Sequence, residues 1–311
     1  MSGTFSRGSV WSKWDMHVHS PFSHLNNHYN CTSKELAEKI VEENISVVGL
    51  TNYFVVDEQE IVELRDALAG RALVIPNFEF RTNDKNKDNE FINIHVLFNP
   101  DLALERVYGC LQRVKLNNLS EDIPYYCTLE NIKKFGADTI TVSFDELVAE
   151  LNIDFDRNDD FLIVGVNRGY GGFYPDNKPR NTQLAKKLDK SSDFIFGKID
   201  DRNFFLNKTP GREALGLKPK VVVHASDAHT LSKVGENFTW IKAVPSWDGL
   251  QQIIFEPEQR VQIQVEIPDN KDKDLIIDEV KFSSTKSSLF PNESIKLNPN
   301  LNVIIGGKSS G

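Results

Sequence analysis

The chain has 311 residues, twice the ~150 of a typical single domain, which excludes a small disulfide-stapled module. Hydrophobic residues make up 40% and charged residues 26%, the balance of a globular protein with a sizeable core rather than of a disordered chain. The formal net charge of −9 excludes a surface that is basic all over and grips nucleic acid everywhere.

Thr32 and Glu35 have the spacing of a capping box, and Leu36, Ile40 and Val41 continue at helical spacing to Asn44, which predicts a helix there. Ile45 to Leu50 reads as a buried strand. Asp57 to Ala69 reads as an amphipathic helix stopped by Gly70, followed by a strand at Ala72 to Ile75 that continues at Phe78 to Phe80. A polar loop is expected over Arg81 to Glu90. In Phe91 to Phe98, Ile92, Ile94, Val96 and Phe98 share one face while Asn93, His95 and Leu97 share the other. Further expected elements are helix Leu102 to Leu116, a helix from the Ser143/Glu146 pair to Leu151, strand Phe161 to Val166, helix Thr182 to Leu188, strand Phe194 to Ile199 and strand Val221 to Ala225. Apolar strands alternating with helices imply a parallel sheet covered on both sides, doubly wound or closed as a barrel, with function at the strand C-termini.

Domain boundaries follow composition. Residues 1–267 form the main domain, the charged tract 268–274 reads as a linker, and 275–311 carries short strands at Leu275 to Phe282, Ser294 to Leu297 and Leu301 to Ile305. Between Lys178 and Lys220 eleven Lys/Arg stand against five Asp/Glu, a local +6 that reads first as a solvated helical face.

Three widely spaced cysteines, Cys31, Cys110 and Cys127, suit reduced thiols. With no signal-peptide core and no run near ~18 apolar residues, a cytoplasmic protein without membrane contact is expected.

Two histidines two apart in Asp15-Met16-His17-Val18-His19-Ser20 project to the same side of an extended segment and can grip one metal. A late Ser226-Asp227-Ala228-His229 offers a carboxylate and another imidazole, and Glu79 sits between Phe78 and Phe80, where an unpaired charge is costly. Of the seven histidines, His24 and His28 lie near the first pair, His95 lies mid-chain, and none falls between His95 and His224. His224 reads as a structural or supporting residue.

The Asp-x-His-x-His-Ser opening, the strand end at Thr51, Glu79, His95 and the closing Ser-Asp-Ala-His resemble the PHP family, the polymerase and histidinol phosphatase superfamily, over residues 14–230. The resemblance implies a distorted (β/α)7 barrel with a two- or three-metal phosphoesterase site. His17, His19, Glu79 and Asp227 would form one site, with Glu79 bridging to a second that His95 serves; His229 and His24 would serve a third, His28 competing with His24. Asp227 or His229 would move protons, and Tyr53 and Arg168 would contact the substrate phosphate. The implied cofactors are one to three divalent ions, Mn, Zn, Fe or Mg.

Arg7-Gly8-Ser9 with Trp14, the run Phe238 to Lys242, the stretch Gly249 to Pro257, and Leu301 to Gly311 resemble the TrlF-like branch, in which a PHP domain precedes an SMC- or ABC-like ATPase. Gly306, Gly307, Lys308, Ser309, Ser310 and Gly311 match the first half of a P-loop, which cradles phosphates at a helix N-terminus, without the lysine and hydroxyl that complete it. ATP and Mg would then bind only in a longer protein, of which this chain is expected to be the N-terminal portion, and oligomerisation would run through the ATPase. The resemblance implies a nuclease gated by that ATPase, with DNA or RNA as partner and a role in phage defence or repair.

Two departures weaken this. Thr51-Asn52-Tyr53 stands where the family has Thr-Asp-His, and Asn167-Arg168 stands where it has a mid-barrel histidine. The alternatives are a PHP scaffold with little catalysis and a small-molecule phosphatase. An amidohydrolase barrel also opens with His-x-His, but needs a mid-barrel lysine that Phe161 to Val166 lacks.

Overall fold

The computed structural model describes residues 7–23, 25, 27–55, 58–119, 123–173, 182–213, 216–268, 275–281, 294–303 and 305. The strands are β1 Val10–His19, β2 Ile45–Tyr53, β3 Leu73–Lys85, β4 Phe91–Phe98, β5 Leu116–Asn117, β6 Thr141–Val142, β7 Phe161–Val166, β8 Phe194–Phe196, β9 Val222–Val223, β10 Thr239–Ala243, β11 Val261–Gln262, β12 Glu279–Lys281 and β13 Ser294–Lys296. The helices are α1 Ser33–Glu42, α2 Glu58–Leu68, α3 Leu104–Leu111, α4 Leu129–Phe135, α5 Phe144–Asp154, α6 Thr182–Ser191, α7 Arg202–Phe205, α8 Pro210–Glu213, α9 Trp247–Phe255 and α10 Pro257–Arg260.

Nine strands run in the order β11-β10-β1-β2-β3-β4-β7-β8-β9. The ends are drawn together where Thr239 of β10 donates to the carbonyl of His224, at 2.7 Å, and accepts from its N–H at 2.8 Å. A parallel bridge joins Val18 to Ala228. The result is a nearly closed α/β barrel, the expected fold. It is not all parallel: β3–β4 and β4–β7 pair antiparallel, because β4 returns beside β3 through a loop too short for a helical crossover, and β1–β10 is antiparallel as well.

Two cores separate the layers. Val18, Val48, Leu50, Phe78, Ile94, Val96 and Ile163 face the helices. Trp14, Met16, Val47, Ile75, Leu97, Val164 and Phe194 fill the barrel interior. The β4 alternation places His95 with Leu97 on the interior side, as its sequence pattern implies. In β1 the pairing register with β2 shifts between Asp15 and Val18. This bulge changes the strand's parity, so Trp14 and Met16 face inward, Val18 faces the helices, and His17 and His19 join the interior. The bulged backbone presses on β2 at Gly49, where a Cβ would lie 2.1 Å from the Met16 carbonyl oxygen; only glycine leaves room.

Thr32 and Glu35 form the predicted capping box of α1, and the Ser143 hydroxyl caps α5 by accepting from the Glu146 N–H. Other limits differ from expectation. The polar stretch after Phe80 continues β3 to Lys85 because it pairs with β4. The helix expected to reach Leu116 ends at Leu111, since Leu116 pairs with β6. Helix α4 lay unrecognised, and β8 stops at Phe196 where Ile199 begins a single 3-10 turn. Of the late strands, β12 and β13 form an antiparallel pair, whereas Leu301 to Val303 is not a strand. Residues 269–274 of the expected linker and Gly306 to Gly311 lie outside the described residues.

The basic tract is not one face. Arg212 is buried against Asp189, Lys187 pairs with Asp145, Lys208 pairs with Glu258, and Lys220 donates to the Ser192 carbonyl. All three cysteines are free. No described helix is long and apolar enough to cross a membrane.

Candidate metal centre

The polar residues of the barrel collect above its apolar interior in a cavity of about 460 Å³. Nε2 of His17 and Nε2 of His19 lie 3.0 Å apart. Glu79 Oε2 is 3.6 Å from the first and 3.5 Å from the second, and Asp227 Oδ1 is 3.1 and 3.4 Å from them. Two nitrogens and two carboxylate oxygens thus point at one small volume. His17, His19 and Glu79 form a candidate metal-binding group, and His19, Asp227 and His229 form a second. His229 Nε2 is 3.4 Å from the same Asp227 oxygen, and its ring stacks on His19 with centroids 3.9 Å apart.

Each donor is aimed by neighbours. Asn77, unrecognised from sequence, donates through Nδ2 to Thr51 Oγ1 at 2.8 Å and to the Met16 carbonyl at 3.1 Å. Its Oδ1, 3.0 Å from His95 Nδ1, therefore accepts the imidazole N–H, which leaves His95 Nε2 with a free lone pair. That nitrogen is buried without a hydrogen-bond partner, as are His19 Nδ1 and His229 Nδ1. Asn93 donates to Glu79 Oε1 at 2.6 Å, freeing Oε2 for the histidines. The His95 ring meets the His17 ring edge to face at 4.4 Å, and Phe196 packs against both.

Asp15 supplies the frame. Its buried carboxylate accepts from the N–H of Ser226 at 3.0 Å and of Gly235 at 3.1 Å, and from His17 N–H at 3.5 Å. It ties the strand bearing His17 to the loop bearing Asp227, which sits in the left-handed region at φ 52°, a conformation that Asp tolerates better than most residues. Replacing Asp15 by Asn puts an amide donor against backbone N–H groups. We expect the variant to bind Mn²⁺ or Zn²⁺ about 10–100-fold more weakly in chelator competition; unchanged affinity would show that Asp15 does not hold the site.

Electrostatics favour cation binding. Burial opposes charge on His17, yet the carboxylates of Asp227 and Glu79 raise its pKa above the ordinary value. Burial lowers His19 to about 4, with His17 adding repulsion, and lowers His95 to about 3. Glu79 is held at about 2 in spite of burial by its bond to His17 and the charges of the imidazoles around it. Asp227 lies far below the carboxylate range, its partial desolvation among the imidazoles being outweighed by His17 and by its bonds to His19 and His229. Imidazoles, of which burial keeps His19 and His95 neutral, beside ionised carboxylates are the donor set that suits a divalent transition ion, His17 giving up its proton when a cation takes its place. The buried, unpartnered Nε2 of His95 satisfies the same test.

The remaining expected residues are placed as follows. The Tyr53 ring stacks on His19 at 4.9 Å. Arg168 lines the cavity with its Nε donating to Asp201 at 2.6 Å. Asn167 is buried with both amide atoms unpartnered. His24 lies outside the described residues; His28 gives its backbone N–H to the His229 carbonyl. His224, read from sequence as structural or supporting, and Lys198, unassigned there, also line the cavity. Burial lowers the His224 pKa, and the nearby Lys198 adds to it.

No protein-family model and no curated protein sequence matches the chain. Among solved structures it is similar to Endonuclease Q in complex with a 27-mer duplex substrate with an abasic lesion at the active site, with a TM-score of 0.51 and 13% identity. That match covers 82% of this chain and 58% of Endonuclease Q, so the chain spans little more than half the length of that protein. Weaker similarity extends to a putative metal-dependent phosphoesterase from Bifidobacterium adolescentis, with a TM-score of 0.42, 14% identity, and coverage of 78% and 95%. An amidohydrolase from Chromobacterium violaceum shows the same TM-score of 0.42 and 14% identity, with coverage of 80% and 97%. The first likeness is one of fold.

Proposed function

We propose that this chain is a metal-dependent phosphoesterase acting on DNA or RNA. The observation that carries the reading is the convergence of His17, His19, Glu79 and Asp227 on one point, in a cavity that Arg168, Lys198 and His224 also line. The four donors would hold one divalent ion, and His19, Asp227 and His229 a second, with the His95 ring beside His17. Such ions, when bound, supply Lewis acidity and a water of lowered pKa. The chain's own groups do the rest. Arg168 and Lys198 bring positive charge to the phosphate, and Arg168 is kept in place by Asp201. When the first ion alone is held, His229, partly exposed and 3.4 Å from Asp227, is placed to accept a proton from attacking water. Tyr53 closes the wall behind His19. The glycine-rich segment 306–311 supports a further reading, regulation of cleavage by an ATPase in phage defence or repair.

A second reading is favoured by Tyr53 and Asn167, which stand where the PHP pattern has imidazoles. It is a barrel that positions partners without hydrolysis. Elemental analysis of protein purified without chelator, paired with assays on labelled single-stranded DNA and RNA with Mn²⁺ or Zn²⁺, separates the two. Bound ions and metal-dependent cleavage support the hydrolase. An empty protein, inert on every phosphodiester with added metal, supports the scaffold.

A further inference from the structure

The mouth of the cavity carries an aromatic side chain that the metal chemistry does not use. Tyr170 lines the cavity and is 61% exposed. An exposed ring on a mobile loop would mean little, but this loop is stapled down. Gly171 donates through its N–H to Glu90 at 3.2 Å, and its carbonyl accepts from the Asn93 N–H at 2.9 Å. The Gly172 carbonyl accepts from Asn86 Nδ2 at 2.9 Å, and Phe173 N–H returns to the Val166 carbonyl at 2.9 Å. Gly169 and Gly171 both have positive φ, 87° and 74°, which lets the turn lie close to β4. A Cβ on Gly171 would be 2.5 Å from Asn93, the residue that orients Glu79. The loop carrying Tyr170 is thus built onto the same side chain that aims a metal donor.

The ring itself is supported from one side. The Arg81 guanidinium carbon lies over it, 5.6 Å from the centroid. Arg81 is buried and anchored to the carbonyls of Ala137 and Asp138. One face of Tyr170 is therefore backed by a fixed cation, and the exposure belongs to the rest of the ring. A flat π surface held at fixed height above a site with Arg168 and Lys198 presents two chemistries together: anion recognition and stacking. A nucleotide offers both, whereas a phosphorylated sugar or an acyl phosphate offers only the first.

We propose that Tyr170 is a stacking platform for an unpaired nucleobase, so that the site takes a single strand or a strand end rather than an intact duplex. This rests on the phosphoesterase reading for the position of the phosphate. Within a duplex both faces of each base are already stacked, and presenting one to Tyr170 costs a few kcal/mol of unstacking. A single strand avoids that cost. Stacking on an aromatic side chain tolerates every base, because each has a π face, so the preference is for strandedness and not for sequence.

The test uses three probes with the wild-type chain, Tyr170→Ala and Tyr170→Phe: a short oligothymidylate containing one 2-aminopurine, the corresponding duplex, and a strand of the same length made only of abasic units. Binding is read by fluorescence anisotropy and stacking by quenching of 2-aminopurine, both in Ca²⁺ so that cleavage does not interfere. Wild type and Tyr170→Phe are expected to quench 2-aminopurine and to bind the single strand more tightly than the duplex or the abasic strand. Tyr170→Ala is expected to lose the quenching and to bind the single strand roughly 5–100-fold more weakly, with no change for the abasic strand. Equal binding of the oligothymidylate by wild type and Tyr170→Ala overturns the proposal, as does wild-type binding that ignores the bases or is absent for all three probes. Cleavage of the abasic strand with Mn²⁺ is scored separately. If it occurs while Tyr170→Ala is neutral, the phosphoesterase stands and the platform falls; if quenching follows Tyr170 while no strand is cleaved, the reverse holds.

Discussion

Asp227→Ala is expected to strip bound metal from the purified protein and to lower metal-dependent hydrolysis by at least about 10³-fold, some 4 kcal/mol of barrier. Its Oδ1 lies within 3.4 Å of Nε2 of His17, His19 and His229. Among the described residues it is the carboxylate of the second candidate group, as Glu79 is of the first. Without it the two facing imidazoles of His17 and His19 retain only Glu79, and His229 has no anion beside it. The fold should survive, because the Asp227 side chain is 62% exposed and supports no apolar core. Alanine also fits poorly at φ 52°, so Asp227→Asn, which tolerates that backbone and removes only the charge, is the companion variant. Both should show the loss by elemental analysis and initial rates. A variant that keeps its metal and its rate would remove Asp227 from the ligand set.

The largest stability effect is expected far from the cavity, at Arg212. Its guanidinium grips Asp189 with two bonds, 2.5 and 2.9 Å, and gives a third to the Lys218 carbonyl at 2.6 Å. Both side chains are fully buried, and the guanidinium carbon lies 4.8 Å from the centre of the Phe205 ring. Removing one charge strands the other in a medium that cannot solvate it. Arg212→Ala should therefore cost about 3–5 kcal/mol, whereas Arg212→Met combined with Asp189→Leu should recover most of the loss. Urea denaturation followed by circular dichroism measures both. A single variant within about 1 kcal/mol of wild type would mean that water reaches the pair.

Much of the barrel can be read from local pattern. Phe91 to Phe98 alternates cleanly because one side packs on helices and the other enters the barrel, and its limits agree with the strand found. The α1 cap was legible for a similar reason: it depends on residues three apart. What the sequence hides is set by partners distant in the chain. The polar residues 81–85 form strand because β4 and β6 lie beside them, and the antiparallel course of β4 follows from a short connection rather than from any residue in it. The His-x-His pair is visible, but the bulge in β1 that turns both imidazoles to the interior is not. Asn77 and Asn93 carry no motif of their own, and the Asp-x-His-x-His-Ser opening does not say what Asp15 holds. Each is recognisable only once Thr51, Glu79 or Ser226 is seen to be its neighbour. The local excess of positive charge misleads in the opposite sense, since Arg212 and Lys220 spend their charge on internal partners.

The Asp15 clamp has a consequence for biosynthesis. Its acceptor oxygens reach backbone groups 211 and 220 residues further along the chain, and β1 pairs on one side with β2 but on the other with β10. A nascent chain can therefore pair β1 with β2 early, yet it cannot lock His17 and His19 against Asp227 until Gly235 has left the ribosome. Contacts of such long sequence separation form late, after the entropy of closing the intervening loop has been overcome. Assembly of the donor cluster thus waits until the chain has been made through Gly235, the far end of the clamp.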